Sequence, residues 1–385
     1  MKIASVEAWP FHEERDTAQV SGGAGSPAQL TGAGPYRWAE NYPVLYSTRF
    51  ETALIKVTLA SGEVGWGEAQ APLAPEVACA IVTHILSPVL QDVDFEPTPA
   101  GISQLWWTMY SAMRVRGQTG GFMLDAIAGI DLALWDVAGK LTRQTVAAML
   151  GANRTIVPAY LSGLPRRDPE AIRPWVDRGF TTVKVFHDSG ESTLLHNLDA
   201  VRKLLPASGS VAVDALWRFA PDSAEAFSHH LAARGVKWLE APLNPESARD
   251  HGTLARRAAV PIALGESYRT LFELDPFFHE HAMAIVQPDL GRTGITEGLR
   301  IAHAAAAHGL AVIPHVSIAL GPQLAAAIHF AAALENCPML EFNPTVLDTA
   351  NRFLRAPLQL EGSNYTVPQL PGLGIEMLPG SVVMQ

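Results

Sequence analysis

The stretch VKWLEAPLNPESARDHGTLARRAAVPIALGESY, residues 236–268, holds a strand, a loop, a helix and a second strand in succession. Apolar VKWL closes on Glu240, a proline-containing loop follows, a helical run crosses back, and apolar PIALG closes on Glu266. A short apolar run bounded by turn residues reads as a buried strand, and strands alternating with helices of this length build parallel βαβ units. The theme recurs on both sides in TTVKVFHD, SVAVDALW, MAIVQPDL, LAVIPHVS and PMLEFNP. The polar residues closing these strands are Lys184, Asp214, Glu240, Glu266, Asp289, His315 and Glu341, with gaps of 30, 26, 26, 23, 26 and 26. A repeat of that size is one βα unit of a barrel, of which eight take ~250 residues. An open doubly wound sheet gives similar gaps but gathers ligands at a single switch point. Polar residues at every strand end therefore favour an α/β fold of the (β/α)8 TIM barrel type, in which all seven side chains converge on one mouth.

Upstream, KIASVEAWPF, ETALIKVTLA and EVGWGEA read as strands, with Ser61-Gly62 as a hairpin turn. Residues 12–46 form a long insertion in which Gly23-Ala24-Gly25 and Ala28 approach the dinucleotide fingerprint. A true fingerprint follows a strand and opens a helix; here Pro27 interrupts the run, so a lid loop is the better reading. From about Pro75 to Gly151 the pattern turns helical, and MLDAIAGIDLALWDVAGKLTRQTVAAMLG is expected to be a helical segment ended by Gly151.

Composition narrows the partners. A net charge of −10 and the lack of a Lys/Arg cluster disfavour nucleic acid. No apolar run approaches the ~20 residues of a membrane span, and the first residues read as a strand rather than an export signal, so a cytoplasmic address is expected by default. Cys79 and Cys337 lack metal-type spacing and read as reduced packing residues. His279-Glu280-His281 and His229-His230 read as solvated faces, and no GxSxG elbow or P-loop is present.

Three carboxylates on consecutive strands, Asp214, Glu240 and Glu266, offer hard oxygen donors without Cys or His, a set suited to Mg2+. Strand-end acids can also cap the next helix or pair with Arg, although regular spacing makes that reading weaker for the trio than for any one of them. A carboxylate substrate on such a metal would have its enolate stabilised as the α-proton leaves. His315 is the candidate base, with Asp289 one strand back to orient the imidazole. Taken alone, His315 also has a reading as a core histidine, the weaker of the two. Lys184 lies on the other side of the barrel, and Glu341 closes the ring as a possible proton donor to the enolate oxygen.

With EVGWGEA, IDLALWDVAGK, VDALW, WLEAP, GES, QPDLGRTGIT, PHVS and LEFNP in view, the chain resembles the enolase superfamily, and within it the mandelate racemase group, over nearly its whole length. The resemblance implies a modified barrel under an α+β capping domain. It places the N-terminal cap at residues 1–125, the barrel at 126–345, and a C-terminal tail at 346–385 returning to the cap. It implies Asp214, Glu240 and Glu266 as Mg2+ ligands, Asp289 and His315 as a dyad, and Glu341 as the electrophilic acid; a His or Lys base working beside Mg2+ is the general pattern of this superfamily. Two positions depart from the group. It commonly carries Lys-x-Lys where this chain has Lys184-Val185-Phe186, and Phe186 moves no proton. It often carries Asn at the position of Leu216. Both make one pocket wall apolar.

With a single competent base, the resemblance points to the acid-sugar dehydratases, which give 2-keto-3-deoxy acids. His315 would take the α-proton and return it to the departing hydroxyl, while Lys184 adds charge near the substrate carboxylate. Cap-loop contacts are expected from Trp38, Tyr46 and Arg49, each also readable as ordinary packing. The alternatives are a racemase or epimerase that recruits His187 or Tyr160 on the Lys184 side, and a catalytically silent acid-binding protein. A small-molecule carboxylate is the expected partner, and the family habit favours a homo-oligomer.

Overall fold

The computed structural model describes residues 1–14, 30–39, 44–164, 168–187 and 190–378. Gly23-Ala24-Gly25 and Ala28, the near match to a nucleotide fingerprint, lie outside the described residues. Among the described residues, no helix is long and apolar enough to cross a membrane.

The N-terminal unit is built on a long antiparallel meander. Strand β1 (Ile3–Glu14) comes first, followed by a small sheet of β2 (Leu30–Thr31), β3 (Tyr36–Ala39) and β4 (Leu45–Ser47). Strands β5 (Arg49–Leu59) and β6 (Val64–Ala69) then return beside β1. The β5–β6 turn falls at Ser61-Gly62, where Gly62 takes φ 98° and the Leu59 N–H donates to the Glu63 carbonyl. Helices Pro75–Ile81 and Phe122–Thr142 cover this sheet, and helix Pro99–Met113 packs on Phe122–Thr142. The expected single helical run to Gly151 is broken: Arg143 adopts the left-handed conformation (φ 56°) that ends the helix, and a short helix, Val146–Met149, follows. Helix Phe122–Thr142 runs across the expected boundary at residue 125 and packs on both β6 and the barrel helix Leu290–Ala307.

The barrel comprises eight parallel strands, β7 (Ile156–Leu161), β8 (Thr182–Phe186), β9 (Ser210–Asp214), β10 (Val236–Glu240), β11 (Ile262–Leu264), β12 (Ile285–Val286), β13 (Ala311–Val312) and β14 (Leu340–Phe342). Neighbours pair in chain order from β7 to β13, and β14 pairs back onto β7 through Leu340↔Ala159 and Phe342↔Leu161. From β13 the chain reaches the β14 side by Val312 N–H to the Asn336 carbonyl. The tail hairpin, β15 (Leu360–Glu361) and β16 (Asn364–Thr366), adds antiparallel to the first half of β7, and Leu373 N–H then donates to Asp136 on helix Phe122–Thr142.

Successive strand residues face opposite ways, and that period sets the barrel lumen. Tyr160, Ala212, Trp238, Ala263 and Ile313 form a closed inner cluster separate from the main core. Two residues further along β9 and β10, on the same face, come Asp214 and Glu240. The lumen layer is thus a floor, and the strand-end side chains stand on it.

Candidate active site

Register places the site residues level by level. Asp214 pairs with Glu240 across β9 and β10, and with Phe186 across β8 and β9. Lys184 pairs with Ala212, one layer lower, so its long side chain rises from beneath the acids. Its ammonium lies 2.5 Å from Glu240, 2.9 Å from Glu341 and 3.5 Å from Asp214, with 1% of the side chain exposed. The Phe186 ring sits 5.3 Å from the same nitrogen. Burial alone would lower the Lys184 pKa, but Glu240 and Glu341 outweigh it and hold the ammonium well above its usual range.

On the opposite flank His315 follows β13. Its Nδ1 lies 2.7 Å from Asp289 Oδ2 and its Nε2 2.7 Å from Glu266 Oε2. Burial would pull the imidazole pKa down; the Glu266 charge and the hydrogen bonds to Asp289 and Glu266 raise it well above the ordinary value. Glu266 answers in kind: burial pushes it up, His315 pulls harder, and its pKa falls to about 2. Asp289 Oδ1 also accepts from the Gly291 N–H at 2.9 Å, so the side chain caps the helix that begins at Leu290 while it faces His315.

Asp214, Glu240 and Glu266 therefore stand at the ends of adjacent strands, the first two buried and Glu266 half-buried. Among the described residues, no three metal-ligating side chains close around one point. Lys184 draws Glu240 inward and His315 draws Glu266 sideways. The donor set nonetheless fits a hard divalent cation: three carboxylates, with no thiolate or imidazole among them. Negative charge is in excess here, since burial and then the Glu240 charge push Asp214 up to about 8 despite Lys184.

Glu341, the expected proton donor, stands beside Lys184 at 2.9 Å. Burial would raise its pKa, yet the Lys184 ammonium and then His315 lower it, and it accepts from the Val316 N–H at 3.1 Å.

Above these groups opens a cavity of about 610 Å³, lined by both domains. Tyr46 and Arg49 border it, as expected of cap contacts, with Arg49 tied to Glu14 at 2.6 Å. Trp38 does not: it is 51% exposed, and β4, not β3, reaches the cavity. Phe186 and Leu216 also line it, and Leu216 adopts φ 53°. Tyr160 is sealed in the lumen against Trp238, below the cavity.

Sequence reading missed several partners. Gln287 donates to Glu240 Oε2 at 2.8 Å and Trp238 at 3.2 Å, which leaves that carboxylate few orientations. Both lie two residues before a candidate, and Trp238 shares the β10 face of Glu240, so that spacing was a usable signal. Gln70 of the cap donates to Ser317 at 2.6 Å, and Arg292 lines the cavity beside Glu266. No spacing announces either.

Comparisons with known proteins agree with this architecture. Residues 43–151 match the family described as Mandelate racemase / muconate lactonizing enzyme, N-terminal domain, and residues 168–381 match Enolase C-terminal domain-like. D-galactarolactone cycloisomerase of Agrobacterium fabrum is 31% identical over 86% of this chain and 91% of the relative. Arabinonate dehydratase of Saccharolobus solfataricus is 29% identical over 96% of this chain and 94% of its own length. The crystal structure of an enolase superfamily member from Agrobacterium tumefaciens superposes with a TM-score of 0.91 at 29% identity, covering 99% of this chain and 98% of that one.

Proposed function

We propose that this chain, which belongs to the mandelate racemase group of the enolase superfamily, dehydrates a sugar acid to a 2-keto-3-deoxy acid, with His315 serving first as base and then as acid. The observation that carries this reading is the His315–Asp289 pair, hydrogen-bonded at 2.7 Å beside the cavity while Phe186 stands where a second base would be needed. Relatives named for sugar-acid dehydration and lactone cycloisomerisation support chemistry that starts with loss of an α-proton.

Asp289 fixes Nδ1, so Nε2 is the atom that moves the proton. Asp214, Glu240 and Glu266 would hold Mg2+, which when bound supplies Lewis-acid stabilisation of enolate charge. A cation held there would draw the Glu266 charge away from the imidazole, which would favour His315 as a base. Nε2 then takes the α-proton, and the electron pair of that C–H bond becomes the C=C of the enol. The same Nε2–H protonates the β-hydroxyl as its C–O bond breaks, water leaves, and the enol collapses to the 2-keto acid. Because one residue serves both steps, the α-proton and the hydroxyl must leave from the same face. The Lys184–Glu341 pair supplies the proton-bearing cation on the other wall. Phe186 and Leu216 hold no proton, which disfavours racemisation.

The test is a screen of aldonic and aldaric acids with Mg2+, read as 2-keto acid trapped by semicarbazide, with His315→Asn alongside. Turnover of one acid, abolished by the substitution, supports the proposal. No keto product from any acid sinks it; α-deuterium exchange with the same acids then separates an epimerase from a silent binder.

A further inference from the structure

Asp289 has two carboxylate oxygens, and only one faces His315. The other, Oδ1, accepts from the Gly291 N–H and from the side-chain amide Nε2 of Gln323, each at 2.9 Å. Gln323 is fully buried on the helix Pro322–Ala333, and its Oε1 has no hydrogen-bond partner among the described residues. Chemistry fixes the orientation of that amide, since only the NH2 end can meet a carboxylate oxygen. Burying the carbonyl oxygen without a partner costs free energy, so the contact to Asp289 is retained at the expense of a polar group. Room for the amide comes from Gly291, where a Cβ would lie 2.2 Å from Gln323 Oε1.

The helix is itself held by the N-terminal domain. Glu68, at the end of β6, accepts from Leu320 N–H at 2.7 Å, Gln323 N–H at 3.1 Å and the Thr52 hydroxyl at 2.9 Å, and it is wholly buried. A hydrogen-bonded line thus runs from the cap through Glu68, the backbone and side chain of Gln323, and Asp289 to the Nδ1 of His315.

We propose that Gln323 is a positioning residue for His315: its amide locks the Asp289 carboxylate so that the imidazole is held in one tautomer and one orientation, and Glu68 transmits the seating of the cap to that lock. This inference rests on the reading of His315 as the base only for its kinetic part. Removing an outer hydrogen-bond partner of this kind costs roughly 10–100-fold in activity.

The experiment uses the full chain with Mg2+ and follows the His315 Nδ1–H resonance by proton NMR of protein labelled with 15N-histidine, assigned by its loss in His315→Asn. In Gln323→Leu that resonance is expected to shift or to be lost to solvent exchange. For the acid turned over by the wild type, kcat is expected to fall about 10–100-fold with KM within about twofold, the pattern of a mispositioned base. Leu324→Ala, a buried neighbour on the same helix, is expected to lower Tm and leave the resonance in place. An unchanged resonance in Gln323→Leu, or an equal shift in Leu324→Ala, overturns the proposal. Should His315→Asn keep its turnover, the base reading fails while the resonance still reports on Gln323. If Gln323→Leu does not fold, Gln323→Met preserves the chain length. Neutron diffraction of the wild type decides the matter without any variant: amide deuterons facing Asp289 support the proposal, and a carbonyl oxygen there overturns it.

Discussion

Lys184 has a buried ammonium and three carboxylates within 3.5 Å, a cluster in which each charge is tolerated because of the others. Removing one member of a buried ionic group costs about 3–5 kcal/mol, since the remaining charges stay desolvated and unpaired. Lys184→Met should therefore lower Tm in chelator, and Mg2+ should restore stability by more in the variant than in the wild type. The reason is competition: the ammonium and a divalent cation answer the same excess charge on Asp214 and Glu240, and a ligand that binds the native state stabilises it in proportion to its affinity. An equal or smaller Mg2+ shift, measured by calorimetry, would place the cation elsewhere. Leu216 poses the opposite case, a side chain whose backbone disfavours it. At φ 53° a leucine costs roughly 1 kcal/mol that Asn avoids more cheaply, so the residue is retained for its apolar contact with the cavity. Leu216→Asn should change unfolding free energy by less than about 1 kcal/mol, as relief of strain offsets lost burial. It should nevertheless alter which acids are turned over. A large loss of stability with an unaltered substrate range would make Leu216 an ordinary core residue.

Hairpin β5–β6 and helix Phe122–Thr142 meet at van der Waals contact of their backbones. A Cβ at Gly67 would lie 1.9 Å from the Gly129 carbonyl oxygen, and one at Gly129 would lie 2.2 Å from Ile55 Cδ1. The first obstacle is backbone and the second is the tip of the fully buried Ile55, with the Ala69 nitrogen behind it at 2.9 Å; overpacking a tight core costs about 1–3 kcal/mol. Gly67→Ala should lose at least that much in urea unfolding, whereas Gly117→Ala, where a Cβ meets nothing but φ is 78°, isolates the cost of backbone strain alone. Equal losses in the two variants would show that contact adds nothing. The strands and helices of this chain were legible because their signals are local: an apolar run, a strand-end acid, a glycine turn. So were the residues at the barrel mouth, since equal spacing projects them to one end. The Glu68 clamp was not, because it joins residues 255 apart and leaves no period to read. Trp38 misled for the same reason: an aromatic residue in a cap loop looks like a substrate contact, and only the pairing of β3 with β4 shows which strand borders the cavity. The ion pair of Glu341 with Lys184 was equally hidden, since the two lie 157 residues apart in sequence.

Cap and barrel are joined by buried acids as much as by apolar surface. Asp131, fully buried on helix Phe122–Thr142, accepts from Ile295 N–H at 2.7 Å, from Thr296 N–H at 3.0 Å and from the Thr296 hydroxyl. It thereby caps the barrel helix where Gly294, at φ 66°, breaks the run. Burial is the main influence on its pKa and pushes it up to about 7, against an ordinary value of 3.8. The sign of the consequence follows from counting protons. Between those two values the native state holds a proton that the unfolded chain has released, so stability declines as pH rises through the window and is level above it. Glu68, also raised to about 7, acts in the same direction. His329 acts in the other: burial lowers its pKa to about 4, so its neutral ring costs stability as pH falls from 6.5 towards 4. The total profile mixes these effects, and the share of Asp131 is isolated by difference. Asp131→Asn carries no proton equilibrium, so its unfolding free energy subtracted from that of the wild type should fall steadily between about pH 4 and pH 7, by up to a few kcal/mol. Urea midpoints at half-unit steps of pH measure the difference directly. A difference independent of pH would mean that Asp131 stays ionised in the native state, its three donors having outweighed the cost of burial, and that the joint between cap and barrel is held by a charge rather than by a shared proton.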